Sequence, residues 1–373
     1  MKYHQIDRDL FIKNRKKFAA AMKPNSIAVF NSNDIYPVSA DSTLPFAQHR
    51  DIFYLSGVDQ EESILVIFPD APYESQKEML FLRETNEHIA IWEGEKLTKE
   101  RAFEVSGVKT VHWLQDFEKV LYELMTYADT MYINTNEHYR AKVETETREA
   151  RFVKWWKENY PAHKVEKSNP ILQRLRSVKE SEELDLIQQA CNITEKGFRR
   201  ILSFVKPGVM EYEVEAEFAH EFLRNRSKGF AYTPIIASGN NANVLHYIEN
   251  NQQCNAGDLL LLDVGAEYAN YSSDMTRTIP VSGKFTKRQR EVYDAVLRVK
   301  NEAGKMLVPG NFWKQYHIEV GKIMTSELLG LGLLDKADVQ NENPDWPAYK
   351  KYFMHGTSHH MGLDTHDYGL LYE

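Results

Sequence analysis

The chain has 373 residues and a net charge of −8, with 42% hydrophobic and 27% charged residues. That acidic balance excludes a nucleic-acid binder, which needs a basic face for the phosphate backbone, and no run approaches the eighteen apolar residues of a membrane span. Met1 to Lys17 lacks the uninterrupted apolar core of a signal peptide, and the only cysteines, Cys191 and Cys254, read as reduced thiols of a cytoplasmic protein.

The length predicts two domains. Over residues 1–168 helical and strand-like signals mix: a helix over 7–22, then strands at Ile27–Phe30, Phe53–Leu55, Ile64–Phe68, Met79–Leu82, Ile89–Trp92 and Met131–Asn134. Helices around 97–105 and 115–127 separate the later strands. This pattern predicts an α/β domain, and Ser168-Asn169-Pro170 reads as the linker to a second domain over 169–373.

The second domain opens with a capping box at Ser177 and Glu180, followed by Leu184, Ile187, Cys191, Thr194, Phe198 and Ile201 at helical spacing. That helix stops before Pro207-Gly208, and Val214, Phe218 and Phe222 mark the next one. Residues 258–265 and 268–281 then read as antiparallel strands joined by a turn over Gly265–Asn270. The order repeats: a capping box at Thr286 and Gln289, a helix with Val292, Val296 and Val299 on one face, Pro309-Gly310, and a helix over about 312–329. The two Pro-Gly breaks lie 102 residues apart, which points to an internal duplication. In that scheme the second copy's strand pair is due close to or beyond Glu373, and the sheet is expected to keep an unpaired edge.

Chemistry concentrates in the same half. Asp263 ends the run Leu259–Leu262, where a charge is expensive to bury unless it is paired or holds a metal. Pairing across the turn brings Asp274 near it, and two close carboxylates repel unless protonated or bridged by cations. The blander alternative has Asp263 capping a strand and Asp274 paired with Arg277. His355, His359, His360 and His366 fall within twelve residues, beside Gly356 and Gly362, whereas His246 stands alone upstream. No His-Glu-x-x-His helix, Gly-x-Ser-x-Gly elbow or phosphate-cradling loop is present in the sequence.

Four segments carry a resemblance: Ser-Gly-Asn-Asn-Ala-Asn-Val-Leu-His246-Tyr, Leu-Leu-Asp263-Val-Gly-Ala-Glu-Tyr, Ser-Ser-Asp274-Met-Thr-Arg-Thr, and Met-His355-Gly-Thr-Ser-His359-His-Met-Gly-Leu-Asp-Thr-His366-Asp. In sequence, order and spacing they resemble the Xaa-Pro aminopeptidase and prolidase family, and Gln48–Gly57 is similar to that family's creatinase-like N-terminal domain. The resemblance implies a pita-bread catalytic domain with internal duplication behind a creatinase-like domain. It also implies a dinuclear centre of two divalent ions, manganese first, cobalt or zinc possible, that activates a water. Asp263, Asp274 and His359 match three of the family's five protein ligands, with Asp274 bridging. His246, His355 and His366 match the histidines around the scissile bond. The implied partners are peptides with proline second, in a homo-oligomer (dimer or tetramer). The family's two glutamate ligands, in Glu-Pro-Gly and Arg-x-Glu-Asp segments, are not found, and Glu373 lacks their context. The expectation is therefore a C-terminally truncated and inactive chain. A prolidase acting on Xaa-Pro dipeptides, a non-catalytic pita-bread binding protein and a metal-free amidinohydrolase of the creatinase kind are the alternatives. The last two are disfavoured because Asp263 and Asp274 form a metal-site pair.

Overall fold

The computed structural model describes residues 2–369 except 136, 139, 141 and 142, so Glu373 lies outside the described residues. The first half is a six-stranded mixed sheet covered on both faces. In chain order it comprises α1 (Arg8–Ala21), β1 (Ser26–Asn31), a small exposed hairpin of β2 (Pro37–Ser39) and β3 (Ser42–Thr43), α2 (Arg50–Ser56), β4 (Ile64–Ile67), β5 (Glu78–Leu82), α3 (Glu87–Trp92), α4 (Lys99–Ser106), β6 (Thr110–Trp113), α5 (Phe117–Met125), β7 (Thr130–Ile133), α6 (Arg148–Asn159) and β8 (Lys164–Lys167). The strand order is β6-β5-β4-β1-β7-β8. β1, β4 and β7 are buried along their whole length, as central strands with helices on both faces must be. Phe117, Leu121, Leu124, Phe152 and Trp156 of α5 and α6 fill one face. Phe18 of α1 and the apolar residues of α2 fill the other, in a core continuous with the second half.

Two expected strands are helices, and capping explains both. Residues Phe53–Leu55 lie in α2, where the His49 side chain accepts from Asp51 N and Gly57 closes the end in the left-handed region at φ 68°. Every residue from Asp51 to Ser56 is buried, so no helical stripe shows in the sequence. Residues Ile89–Trp92 lie in α3, started by the Asn86 side chain accepting from Ile89 N. At the expected linker or domain edge a helix begins. Ser168 is fully buried, with its hydroxyl donating to Ile133 O, and Asn169-Pro170 open α7 (Asn169–Ser177). Proline suits that first turn because its missing N–H has no partner there anyway.

The second half begins with α8 (Ser181–Phe204) and α9 (Glu211–Arg224). The capping box of α8 is Glu180 with Glu183, three residues later than expected, because Ser177 belongs to the end of α7. Of the expected stripe Thr194, Phe198 and Ile201 are buried, Ile187 and Cys191 half-buried and Leu184 exposed, while Ala190, Ile193 and Gly197 join the buried face. Gly197 lets the helices close up, since a Cβ there would lie 2.8 Å from the Phe218 ring of α9. After β9 (Gly229–Phe230) and β10 (Ile235–Ser238) come β11 (Leu259–Val264), β12 (Ala266–Tyr268), β13 (Tyr271–Ser272) and β14 (Met275–Pro280).

β11 to β14 form one long hairpin. Val264 pairs with Met275 and Glu267 with Ser272 in the same register, so the turn narrows to Ala269 and Asn270, both at positive φ. That is the two-residue turn whose twist matches paired strands. α10 (Lys287–Lys305) and α11 (Trp313–Gly330) repeat the helix–Pro-Gly–helix order. α10 starts at the expected Thr286–Gln289 box, but it buries Ala295, Val299 and Ala303 and leaves Val296 exposed. Among the described residues no strand follows α11, and β14 pairs on one side only, with β11.

Glu149 of α6 gives the fold a pH signature. It is 3% exposed and accepts from Asn31 N and Asn31 Nδ2 at 2.8 Å each. Burial pushes its carboxyl up from 4.5 to about 8, against those hydrogen bonds and helped by the Asp51 charge. A folded-state value above the unfolded one gives stability that is complete below pH 4.5 and is lost as pH rises through about 8. Glu149→Gln has no proton to lose. Its unfolding free energy relative to the parent should therefore shift in its favour between pH 5 and 8, by at most about 1.4 kcal/mol per pH unit. Urea unfolding at several pH values checks this, and a pH-independent difference would contradict it.

Candidate metal centre

The hairpin register determines which side chains meet. Asp263 lies directly opposite Thr276, so Asp274, two residues earlier on the returning strand, projects from the same face one step along. Gly265 faces the Asp274 step, and a Cβ there would sit 1.8 Å from Ser273 O, so the strands close only because that position is glycine. Tyr232 joins the two carboxylates: its hydroxyl lies 2.6 Å from Asp263 Oδ1 and 3.1 Å from Asp274 Oδ1. One hydroxyl hydrogen serves two acceptors, so the pair stays short of positive charge.

The histidine segment, from Phe353 to Gly369, has neither helix nor strand. Anchors from regular elements hold it instead. Trp313 Nε1 donates to His360 Nε2 at 3.1 Å, Tyr316 Oη shares a hydrogen bond with Ser358 Oγ, and His317 Nδ1 shares one with Thr357 Oγ1. Ser272 N donates to Gly362 O, tying the segment to the hairpin. This places His359 Nε2 3.0 Å from Asp274 Oδ2 and stacks His366 edge-on against His359, ring centroids 4.2 Å apart.

Electrostatics separates these groups. Burial and then the Asp274 charge push the Asp263 carboxyl up, against hydrogen bonds from Tyr232 and Thr276. Burial also works to raise Asp274, but the hydrogen bond and charge of His359 outweigh it and hold that carboxyl below its usual range. The same Asp274 hydrogen bond raises His359. His366 is pushed down to about 4 by burial and by His359, so its imidazole is neutral at physiological pH and free to donate or ligate.

One ligand atom each from Asp274, His359 and His366 lies within 4.8 Å of the others, a spacing that one cation could bridge. The mixed oxygen and nitrogen donors suit manganese, cobalt or zinc, so the residues fit a divalent ion. Asp263 reaches the same place through Tyr232. His366, read from the sequence as facing substrate, thus stands within the ligand-competent group. His355 is exposed, with Nδ1 near Gly356 O and its ring edge-on to Phe353, and His246 lies on an exposed stretch. Neither belongs to the three-residue group. The loop around His246 is held from below by buried Glu211, which accepts from Ser238 N, Asn241 Nδ2, Tyr247 Oη and Gln252 N. Arg277 donates to Thr276 O, and Asp274 pairs instead with His359 and the Tyr232 hydroxyl. Sequence reading passed over Tyr232 and Thr276. Tyr232 has no spacing signal, whereas the register would have exposed Thr276 had the turn been placed at Ala269–Asn270.

Comparison with known proteins agrees with this geometry. Residues 185–373 match the model of metallopeptidase family M24, and residues 11–132 match the aminopeptidase P N-terminal domain. The chain is 34% identical over 368 residues to Xaa-Pro aminopeptidase of Haemophilus influenzae and, equally, to that of Escherichia coli, covering 98% of this chain and 82% of each relative. Among solved structures, a putative aminopeptidase P from Bacillus anthracis is similar with a TM-score of 0.90 at 29% identity, covering 98% of this chain and 85% of that one. Escherichia coli aminopeptidase P gives a TM-score of 0.88 at 32% identity, covering 98% and 83%. A zinc-substituted form of that enzyme in complex with product gives 0.84 at 32% identity over the same shares. The fold is thus the pita-bread fold preceded by an aminopeptidase P N-terminal domain, and the chain belongs to metallopeptidase family M24 as a metal-dependent aminopeptidase.

Proposed function

We propose that the protein releases the N-terminal residue from peptides with proline in second position. The observation that carries this reading is the convergence of Asp263, Asp274, His359 and His366 on one spot of a chain whose relatives are Xaa-Pro aminopeptidases. In this reading Asp263, Asp274 and His359 hold a pair of divalent ions, manganese first. When bound, such ions polarise a carbonyl oxygen and acidify water. The chain's own residues do the rest. Asp263 receives the peptide's ammonium terminus, and neutral His366 donates a hydrogen bond beside the scissile bond. His355 and His246, both exposed, close on the substrate from outside. An Xaa-Pro bond has no N–H, so selectivity rests on shape and not on an amide hydrogen bond. Self-association into a dimer or tetramer, readable by light scattering, and a cytoplasmic location belong to the same proposal. Among the described residues no helix is long and apolar enough to cross a membrane.

The test is incubation of the purified protein and manganese with an Xaa-Pro-Xaa tripeptide and an Xaa-Pro dipeptide. Because the two glutamate ligands implied by the family resemblance are not found among these 373 residues, release of the first residue from the tripeptide is expected of a chain that also carries them, and not of the 373 residues alone. Cleavage of the dipeptide alone would replace this reading with a prolidase.

Tyr232→Phe separates the hydroxyl from the cation. Without the shared hydrogen, Asp263 and Asp274 repel directly, so the metal-free variant should melt below the metal-free parent. Added zinc or manganese should then raise its melting temperature by more than it raises the parent's, because the ion replaces what the hydroxyl supplied. Equal metal-induced shifts in a thermal scan would show that the hydroxyl does not offset that repulsion.

A further inference from the structure

Arg176, the penultimate residue of α7, is 2% exposed and carries a charge deep between the two halves. Its guanidinium divides its hydrogen bonds. Nη1 donates to Asp51 Oδ1 of α2 at 2.8 Å, and Nη2 donates to Asp364 Oδ2 at 2.7 Å and Asp367 Oδ1 at 2.6 Å. The guanidinium also lies over the Tyr368 ring, 4.6 Å from its centroid. Asp364 precedes His366 by two residues and Asp367 follows it directly, so the contacts bracket that histidine in a segment without helix or strand. Arg50 lies near Asp364, and Lys179 pairs with Asp367, so three cations face three carboxylates.

A buried ion cluster is weak evidence for stability, because desolvation offsets most of its Coulomb energy. What it gives is a defined geometry, and this one is aimed at a single stretch of backbone. Asp367 N in turn donates to His360 O, so the gripped residue is tied back to the neighbour of His359. The far arm is anchored just as firmly: Asp51 is 4% exposed and accepts from Asn134 Nδ2, whose Oδ1 accepts from Ser168.

We infer that Arg176 is a positioning residue for His366, and that Asp51 completes its grip from the N-terminal domain. That domain thus reaches the metal centre through the Arg176 guanidinium, with its own Arg50 beside Asp364. The inference rests on the reading of Asp274, His359 and His366 as that centre.

The test uses the full chain, stripped of metal. Arg176→Lys keeps the charge but replaces a fork that serves three carboxylates by one ammonium. The imidazole nitrogen resonances of His366 should move in a proton–nitrogen correlation spectrum, while those of His163, bonded to Met125 O outside the network, stay in place. The dissociation constant for Zn2+ by calorimetry should rise about tenfold or more, about 1.4 kcal/mol. Asp51→Asn should give the same pattern with smaller amplitude, and it decides the question alone if Arg176→Lys does not fold. A lowered melting temperature with unchanged His366 resonances and unchanged Zn2+ affinity would overturn the inference and leave Arg176 as structural glue. A parent that binds no Zn2+ would instead overturn the metal-centre reading, and the spectra of the metal-free protein would still decide the role of Arg176.

Discussion

Setting two carboxylates side by side on one sheet face is costly, and the register of a single hairpin does so here. A turn at Ala269–Asn270 puts Asp263 across from Thr276 and Asp274 one step beyond, on the same side. Had the turn been one residue longer on either strand, one of the pair would face the opposite side of the sheet. Gly265 is part of the same constraint, because it removes the side chain opposite Asp274 and lets Ser273 O approach. The remaining site groups answer the charge so created: the Tyr232 hydroxyl is shared between the carboxylates and the His359 imidazole is drawn to Asp274. The opposite displacements of Asp263 and Asp274 follow directly, since only Asp274 has the His359 imidazole at hydrogen-bond distance.

The partner segment meets this constraint without regular structure. A helix or strand would present its histidines at a fixed period, and neither period brings His359 and His366 edge to face at 4.2 Å. An irregular segment can, provided that its backbone is held from outside. α11 holds residues 357–360 through Trp313, Tyr316 and His317, the hairpin holds Gly362, and Arg176 with Lys179 holds Asp364 and Asp367. Each anchor comes from a different element, so the geometry of the site depends on the assembled fold and not on any local propensity.

That dependence explains what could be read from the sequence. The apolar run ending at Asp263, the histidine cluster and the two helix–Pro-Gly–helix units were visible because they are local patterns, and the helices stand where spacing put them. Most core strands of the first half were visible for the same reason. The failures are positions where burial or a distant partner hides the period. Phe53–Leu55 look like a strand because they are buried on every side, which leaves no helical stripe, and only the local caps at His49 and Gly57 mark the helix. The buried faces of α8 and α10 keep part of the expected stripe, Thr194, Phe198 and Ile201 in one and Val299 in the other, and add small residues that carry no apolar signal, Ala190 and Gly197 in one and Ala295 and Ala303 in the other. Tyr232 was silent because a lone tyrosine in a loop carries no period.

The candidate metal centre also spans two separately packed cores. Asp263 and Asp274 sit on the hairpin that packs into the large core through Leu260, Leu262 and Val264. His359 hangs from α11, whose Tyr316, Val320, Met324 and Leu328 belong to a smaller cluster with Val299 and Tyr349. The hydrogen bond from His359 to Asp274 crosses between the two, and it joins a raised imidazole to a lowered carboxylate. A cation taken up by those same groups would replace one ion pair by ligation to both sides at once. By mass action it would stabilise the folded arrangement in which both sides meet.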